Sequence, residues 1–301
     1  MKCPLPSCEK QFCIQAKHSK TKLLPSNKPK QFNYNLFVLE RLILFCYHFS
    51  MDKKDKHSIH TETSSDLPGL WGVSERLVRR FKTLAFLLTL LPLVFLSLLC
   101  FALAFTPGAF LFQYFGPSIE NLELWQKALS YAFLLSASYI AFAISLIFIV
   151  PLVNKLLPLK IKESRGNWYS FQVIPWYYHN ALTQLVRYTV LDIVTPTPLT
   201  MLFFRMMGMK MGKNCVINTS NISDPCLIEL GDYVTIGGSA TIFAHYGMGG
   251  YLIISKTKIG SYSTIGLKAS VMGAVTVGEK CVIKPHSVLL PKTEVPDGEV
   301  V

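Results

Sequence analysis

From Ile253 onward, aliphatic residues recur every six positions: Ile253, Ile259, Ile265, Val271, Val277, Ile283, Leu289 and Val295, with Val301 placed to open a ninth unit. Four positions after each of the first seven stand Thr257, Ser263, Ala269, Val275, Cys281, Ser287 and Thr293, all small or β-branched. Gly260, Gly266 and Gly278 directly follow their aliphatic residues. A helix repeats every 3.6 residues and a strand every two, so neither alone gives a period of six. A hexapeptide repeat does: each unit is one short strand and a turn, and three units close a triangular coil. The aliphatic residue fills the interior and the small residue sits where the chain bends. One coil cannot cover its own apolar interior, so coils must stack.

The rhythm also appears upstream, interrupted. Leu230, Ile236 and Ile242 are six apart, as are Met211 and Ile217. The step from Ile242 to Ile253 is eleven, one unit plus five residues, which predicts a loop at Tyr246–Tyr251 pushed out of the coil. Residues 222–228 break the register in the same way. The repeat region is therefore 211–301.

Two earlier stretches have a different pattern. Residues 83–105 and 128–153 carry no charge, and each is long enough as a helix to cross a hydrocarbon core of roughly 30 Å. They predict a transmembrane hairpin within 77–160. Arg76, Arg79, Arg80 and Lys82 precede the first span, and Lys155, Lys160, Lys162 and Arg165 follow the second. Only Lys127 is basic in the 106–127 connection, so the positive-inside rule places both outer flanks in the cytoplasm and that connection outside. The expected location is the inner, cytoplasmic membrane, multi-pass, with the repeats on the cytoplasmic side. Trp168, Tyr169, Trp176, Tyr177 and Tyr178 then suit a bilayer interface. Residues 180–194 have helical spacing, and Leu199–Met207 reads as a short apolar helix stopped by Gly208. Region 161–210 is accordingly an interfacial helical cap over the open end of the coil.

Composition adds a sign. The formal charge is +12 with half of the residues hydrophobic, which fits an anionic membrane surface or anionic ligands. No nucleic-acid-binding motif is present, so nucleic acid is not an expected partner. Residues 1–76 read as a poorly ordered basic region, with 1–50 a spurious upstream extension ahead of the Met51-Asp-Lys-Lys start. Cys3, Cys8, Cys13 and His18 are five apart, which is not a common zinc spacing. Cysteines 215, 226 and 281 are expected as reduced thiols on the cytoplasmic side.

The repeat region holds two histidines, His245 and His286, each three positions after an aliphatic residue. With five residues looped out they lie two coils apart, on one face, with Lys268 between them. A solvated ladder and a functional column both fit that pattern. His245 is set apart by its abutment to the extruded loop.

The run Met206-Met-Gly-Met-Lys-Met-Gly-Lys-Asn-Cys-Val216, followed by the hexads, resembles the hexapeptide-repeat (isoleucine-patch) acyltransferases over about residues 195–301. Ile217–Asp224, Ile228–Asp232, the Ala-His pair at 244–245 and Ser287–Pro296 further resemble the C-terminal membrane part of non-ribosomal-peptide-synthetase-like proteins of the ε-poly-lysine synthetase type. The first resemblance implies a left-handed parallel β-helix and acyl transfer from acetyl-CoA, another acyl-CoA or a carrier thioester to a hydroxyl or amine on a small-molecule or polymer acceptor. It implies that His245 takes the acceptor's proton; Asp224 and Asp232, near it along the chain, are the candidates to orient the ring. It further implies that Gly266, Gly273 and Ala274 line the pantetheine arm and that Lys268 or Lys284 meets phosphates. A homotrimer with sites between subunits is expected, and no metal. Pro285-His286-Ser287 departs from the family's small Ala-Gly-Ser. The family pattern also continues past the position of Val301, so the sequence is expected either to be truncated there or to have lost the activity. Two other readings are a non-catalytic β-helical assembly module of a peptide- or polysaccharide-synthesis complex, and a zinc site, which would need three histidines where the coils supply two.

Overall fold

The uncharged stretches form two long helices. In the computed structural model, which describes Ser65 and residues 68–301, α1 (Gly69–Arg80) leads into α2 (Lys82–Ile119) and α3 (Leu124–Leu156). The amino-terminal cysteines and His18 lie outside the described residues. At 38 and 33 residues, α2 and α3 are roughly 57 and 50 Å long. Most of the expected 106–127 connection is therefore helix, and only residues 120–123 link the pair. Pro92, Pro107 and Pro117 all lie inside α2, because its chain stays apolar and keeps a packing partner after each proline. At Gly108 the two helices nearly touch: a side-chain carbon there would lie 2.9 Å from Ser138 Cβ. Small residues at such a contact let helix backbones approach.

The hexads build a three-sided parallel β-helix, with strands numbered β1 to β15 in chain order. One side stacks β3 (Val216–Ile217), β5 (Thr235–Ile236), β10 (Thr264–Ile265) and β13 (Val282–Ile283). The second stacks β6 (Thr241–Ile242), β11 (Ser270–Val271) and β14 (Val288–Leu289), with Ile222 bridging to Ile242. The third stacks β2 (Lys210–Met211), β4 (Ile228–Leu230), β9 (Thr257–Ile259), β12 (Thr276–Val277) and β15 (Glu294–Val295). All of these pairings are parallel and in register, aliphatic on aliphatic. Ile236, Ile242, Ile265, Val271 and Ile283 are fully buried, as are the small residues Thr257, Ser263, Ala269, Val275 and Cys281. The strands' preceding residues point out. The third residue after most of the aliphatic ones, including Tyr233, Ser239, Tyr262, Lys268, Ala274, Lys280, His286 and Lys292, has a positive φ. That is the corner of the coil, a left-handed backbone position held by non-glycine residues because the stacked strands on either side fix it.

The extruded loop is longer than its sequence suggests. β7 (His245–Met248) and β8 (Tyr251–Ile254) form an antiparallel hairpin, and β1 (Ser164–Asn167) adds a third strand to it. Ile253 is consequently a hairpin residue and not a rung of the coil. Leu252 and Ile254 are the buried ones, as a period of two requires. The coil resumes at β9, so the insertion is eleven residues, and extrapolating the downstream period back one unit lands on Ile253 by coincidence. Glu163 fastens the hairpin's exit, accepting hydrogen bonds from Ser255 Oγ and the Lys256 amide, both at 3.3 Å.

Between the long helices and the coil lies a helical layer: α4 (Ile174–Val186), a π-turn (Arg187–Leu191) and α5 (Pro198–Met206). Its buried residues Leu182, Val186, Val190, Leu191, Phe203 and Phe204 join one continuous core with α3 and with Ile217, Ile222 and Ile228 of the first coil. Polar contacts fix the seam: Arg187 donates to Asn221 Oδ1, Ser220 to Asp192 Oδ1, and Ser223 Oγ to Asn180 Oδ1 at 3.4 Å.

Candidate active site

His245 is the first residue of β7, where the chain leaves the coil. Its neighbours are set by stacking. On the coil before it, Ile222 pairs with Ile242, and two residues later Asp224 adopts a left-handed conformation (φ 57, ψ 50) ahead of a 3-10 turn at Pro225–Leu227. An aspartate tolerates that conformation better than most residues, and its carboxylate makes no capping bond to the turn. It instead lies fully buried with Oδ2 2.5 Å from His245 Nδ1. On the other side, Gly273 passes so close that a side-chain carbon would sit 2.7 Å from the His245 amide nitrogen. Gly273 therefore packs against the His245 backbone, with Ala274 next to it in the chain.

The helical layer roofs this pair. The Trp176 ring meets the His245 ring edge-on at 4.9 Å between centroids, and Phe243 flanks it at 5.3 Å. One turn along α4, the buried His179 has its Nδ1 3.0 Å from Asn154 Oδ1 of α3. Burial drives the His179 pKa down from 6.5 to about 4, against the upward pull of the Asp224 carboxylate. The same burial, reinforced by Asp224, pushes the Cys226 thiol up to about 12, so Cys226 is no nucleophile at neutral pH. Cys215, Cys226 and Cys281 are free thiols, and Cys215 and Cys281 Sγ approach the Gly231 and Pro296 carbonyls at 3.1 and 3.0 Å.

His179 has a measurable signature. The unfolded chain takes up this proton near pH 6.5 and the folded chain only near pH 4. Stability from the neutral, buried ring is complete above pH 6.5 and is lost as pH falls through that window, by an amount on the order of 3 kcal/mol. Thermal midpoints of wild type and His179→Gln, measured between about pH 7.5 and 4.5, should diverge in slope with wild type the steeper. Parallel profiles would show that His179 is not buried as described.

The remaining sequence candidates fall elsewhere. Gly266, Lys268 and Lys284 lie on the corner between the first and second sides, whereas His245, Gly273 and Ala274 lie on the corner between the second and third. His286 stacks with Lys268, donating its amide to the Leu267 carbonyl at 2.9 Å, and does not share a column with His245. The miscount of the insertion produced that expectation: with eleven residues removed, the two histidines follow different sides. Asp232 is spent on structure, accepting from the Lys213 amide at 2.6 Å. A polar cavity of about 370 Å³, lined by Asp192, Thr195, Asn218–Asn221, Gly238 and Ser239, also lies on the first-to-second corner. Among the described residues, no group of three or more His, Cys, Asp or Glu side chains could hold a metal ion. Trp176, His179 and Asn154 were not legible as site residues. Trp176 reaches His245, and His179 reaches Asn154, only because α4 lies across both α3 and the coil.

Chemically, the pair can move a proton. The buried carboxylate accepts the Nδ1 hydrogen and fixes the tautomer, which leaves Nε2 with its lone pair free to take a proton. No family model and no curated protein matches the sequence. Among solved structures, the chain is similar to a maltose O-acetyltransferase from Clostridium difficile 630 (TM-score 0.33, 20% identity, covering 46% of this chain and 88% of that one). It is also similar to a GDP-perosamine N-acetyl transferase variant from Caulobacter crescentus bound to CoA and GDP-perosamine (TM-score 0.23, 14% identity, covering 31% and 46%). A third is a serine acetyltransferase from Neisseria gonorrhoeae in complex with serine (TM-score 0.26, 16% identity, covering 58% and 71%). At such scores these likenesses carry no weight of their own, and the β-helix is read from its own strand pairing.

Proposed function

We propose that the chain is a membrane-embedded acyltransferase of the left-handed β-helix type, moving an acyl group from acetyl-CoA or another acyl-CoA to a hydroxyl or amine. The single observation that carries this reading is the buried Asp224 carboxylate 2.5 Å from His245 Nδ1 at the base of an extruded hairpin. His245 Nε2 takes the acceptor's proton as its oxygen or nitrogen attacks the thioester carbonyl. The carbon–sulfur bond then breaks, and the imidazolium returns the proton to the leaving thiolate. The products are the acylated acceptor and free CoA. Gly273, against the His245 backbone, and the adjacent Ala274 would line a pantetheine arm. Gly266, Lys268 and Lys284, one corner away, would serve the donor through a neighbouring subunit in a homotrimer.

The membrane assignment rests on exposure. Within Phe86–Ile119 of α2 the most apolar 18 residues have a mean hydropathy of 2.7 with 6% of them buried, and the most apolar 18 residues of α3 have 2.4 with 33%. Water would not tolerate so much bare apolar helix, whereas lipid favours it. Basic residues Arg76, Arg80, Lys155, Lys160 and Lys162 at the coil end, against Glu120, Glu123 and Lys127 at the other, support an orientation with the coil on the cytoplasmic face of the inner membrane. α4, the π-turn and α5 would then cap the coil at the bilayer surface.

The purified full chain should bind CoA by calorimetry and release thiol from acetyl-CoA. His245→Ala should bind CoA as wild type does. Absence of both CoA binding and thiol release from the wild type would remove the reading.

A further inference from the structure

Deepening that reading and resting on it, we infer that the acceptor hydroxyl or amine is carried on a membrane-anchored lipid and not on a freely soluble molecule. The inference comes from where the helical layer holds the imidazole.

The roof over His245 is built on the apolar helix itself. Trp176, edge-on to His245 at 4.9 Å, sits one turn before His179, and His179 is 3.0 Å from Asn154 in the last turn of α3. Further along, the Tyr139 hydroxyl donates to the Thr189 carbonyl of the π-turn at 3.1 Å. α4 and the π-turn thus run back along α3 from Asn154 to Tyr139, roughly 22 Å of helix length. Along that length α3 presents Ile140, Ile144, Phe148 and Leu152 outward, each at least 44% exposed. On the layer itself, Tyr188 and Ile193 are 63% and 68% exposed. A layer packed beside bare apolar helix, with Tyr188 and Ile193 bare upon it and the exposed Asp192 between them, suits the bilayer surface, its apolar side chains toward the lipid and its polar ones toward the head groups.

The hairpin is tied to the same level. β1 begins eight residues after α3 ends and pairs with β8 along its full length, Ser164 on Ile254 to Asn167 on Tyr251. β8 in turn pairs with β7, whose first residue is His245. Arg165 lies over the Tyr251 ring at 4.4 Å, and Lys160 and Lys162 are exposed on the connecting segment. Aromatic and basic side chains in this arrangement match the head-group zone. A soluble acceptor would gain nothing from an imidazole held there. A head group on a lipid is confined to that zone and meets the site by diffusion in two dimensions, at a raised effective concentration.

The test uses the full chain in nanodiscs with radiolabelled acetyl-CoA, incubated separately with the total lipid extract and the total aqueous extract of the source cells. Label should enter an organic-phase product, in roughly tenfold or greater excess over aqueous products, and His245→Ala should abolish it. His245-dependent label in aqueous products, equal to or above the organic label, overturns the inference while leaving acyl transfer intact. No His245-dependent label in either phase overturns acyl transfer itself. To guard against an extract poor in acceptor, dodecyl maltoside and maltose are compared as matched head groups; an equal or faster rate with maltose also counts against the lipid anchor.

Discussion

His245→Ala should lower the second-order rate of acyl transfer by about two to four orders of magnitude, the range for loss of a positioned general base. The ring is only part-exposed and touches Trp176 and Phe243, so its removal leaves a small void at a corner and not in the coil interior. The thermal midpoint should therefore move little while turnover collapses. Asp224→Asn keeps the shape but offers no charge to a forming imidazolium, so its loss should lie between wild type and the alanine variant. A progress curve of thiol release, read together with a melting curve, separates chemistry from folding. Wild-type turnover by His245→Ala would mean that no imidazole base operates in this site.

The largest effect on folding should come from Ile236→Asp. Ile236 is fully buried, with Ile217 and Ile265 stacked directly on either side. A carboxylate there has no partner and no water, and such a change costs more than about 4–5 kcal/mol, enough to abolish a domain of ordinary stability. The adjacent Thr235 belongs to the same strand but points outward and is exposed. Thr235→Asp should cost no more than about 1 kcal/mol, mostly from strand preference. Limited proteolysis of the two variants side by side reads the difference. Equal resistance would mean that the six-residue pattern does not face one interior.

The interior of the coil could be read from sequence because its geometry demands a strict repeat. Ile236, Ile242, Ile265, Val271, Val277, Ile283, Leu289 and Val295 all occupy the buried rung that the spacing predicts. The hairpin could not be sized that way. An antiparallel strand alternates every two residues, and Leu252, Ile253 and Ile254 look alike to a period of six. The miscount carried straight into the histidines, placing His286 beside His245 when it lies at another corner. Asp224 was named only for its nearness along the chain. Its real reason is vertical, since Ile222 stacks on Ile242 and brings the residues after each into contact. Trp176, His179 and Asn154 left no local trace, because docking of one helix across two others is decided by shape over long range and not by spacing. The αL corners were equally silent: Lys268 and His286 stand at positions every coil must fill, whatever their side chains do.

A stack of this kind is held by nearest neighbours alone. Its first coil is clamped by the buried helical layer. The Asp224–His245 rungs lie beside that clamp, so opening them requires the layer to separate from the coil as well. Substitutions that loosen the distal coils are absorbed there as local breathing, so the distal rungs can drift in sequence while the proton-handling corner keeps its shape.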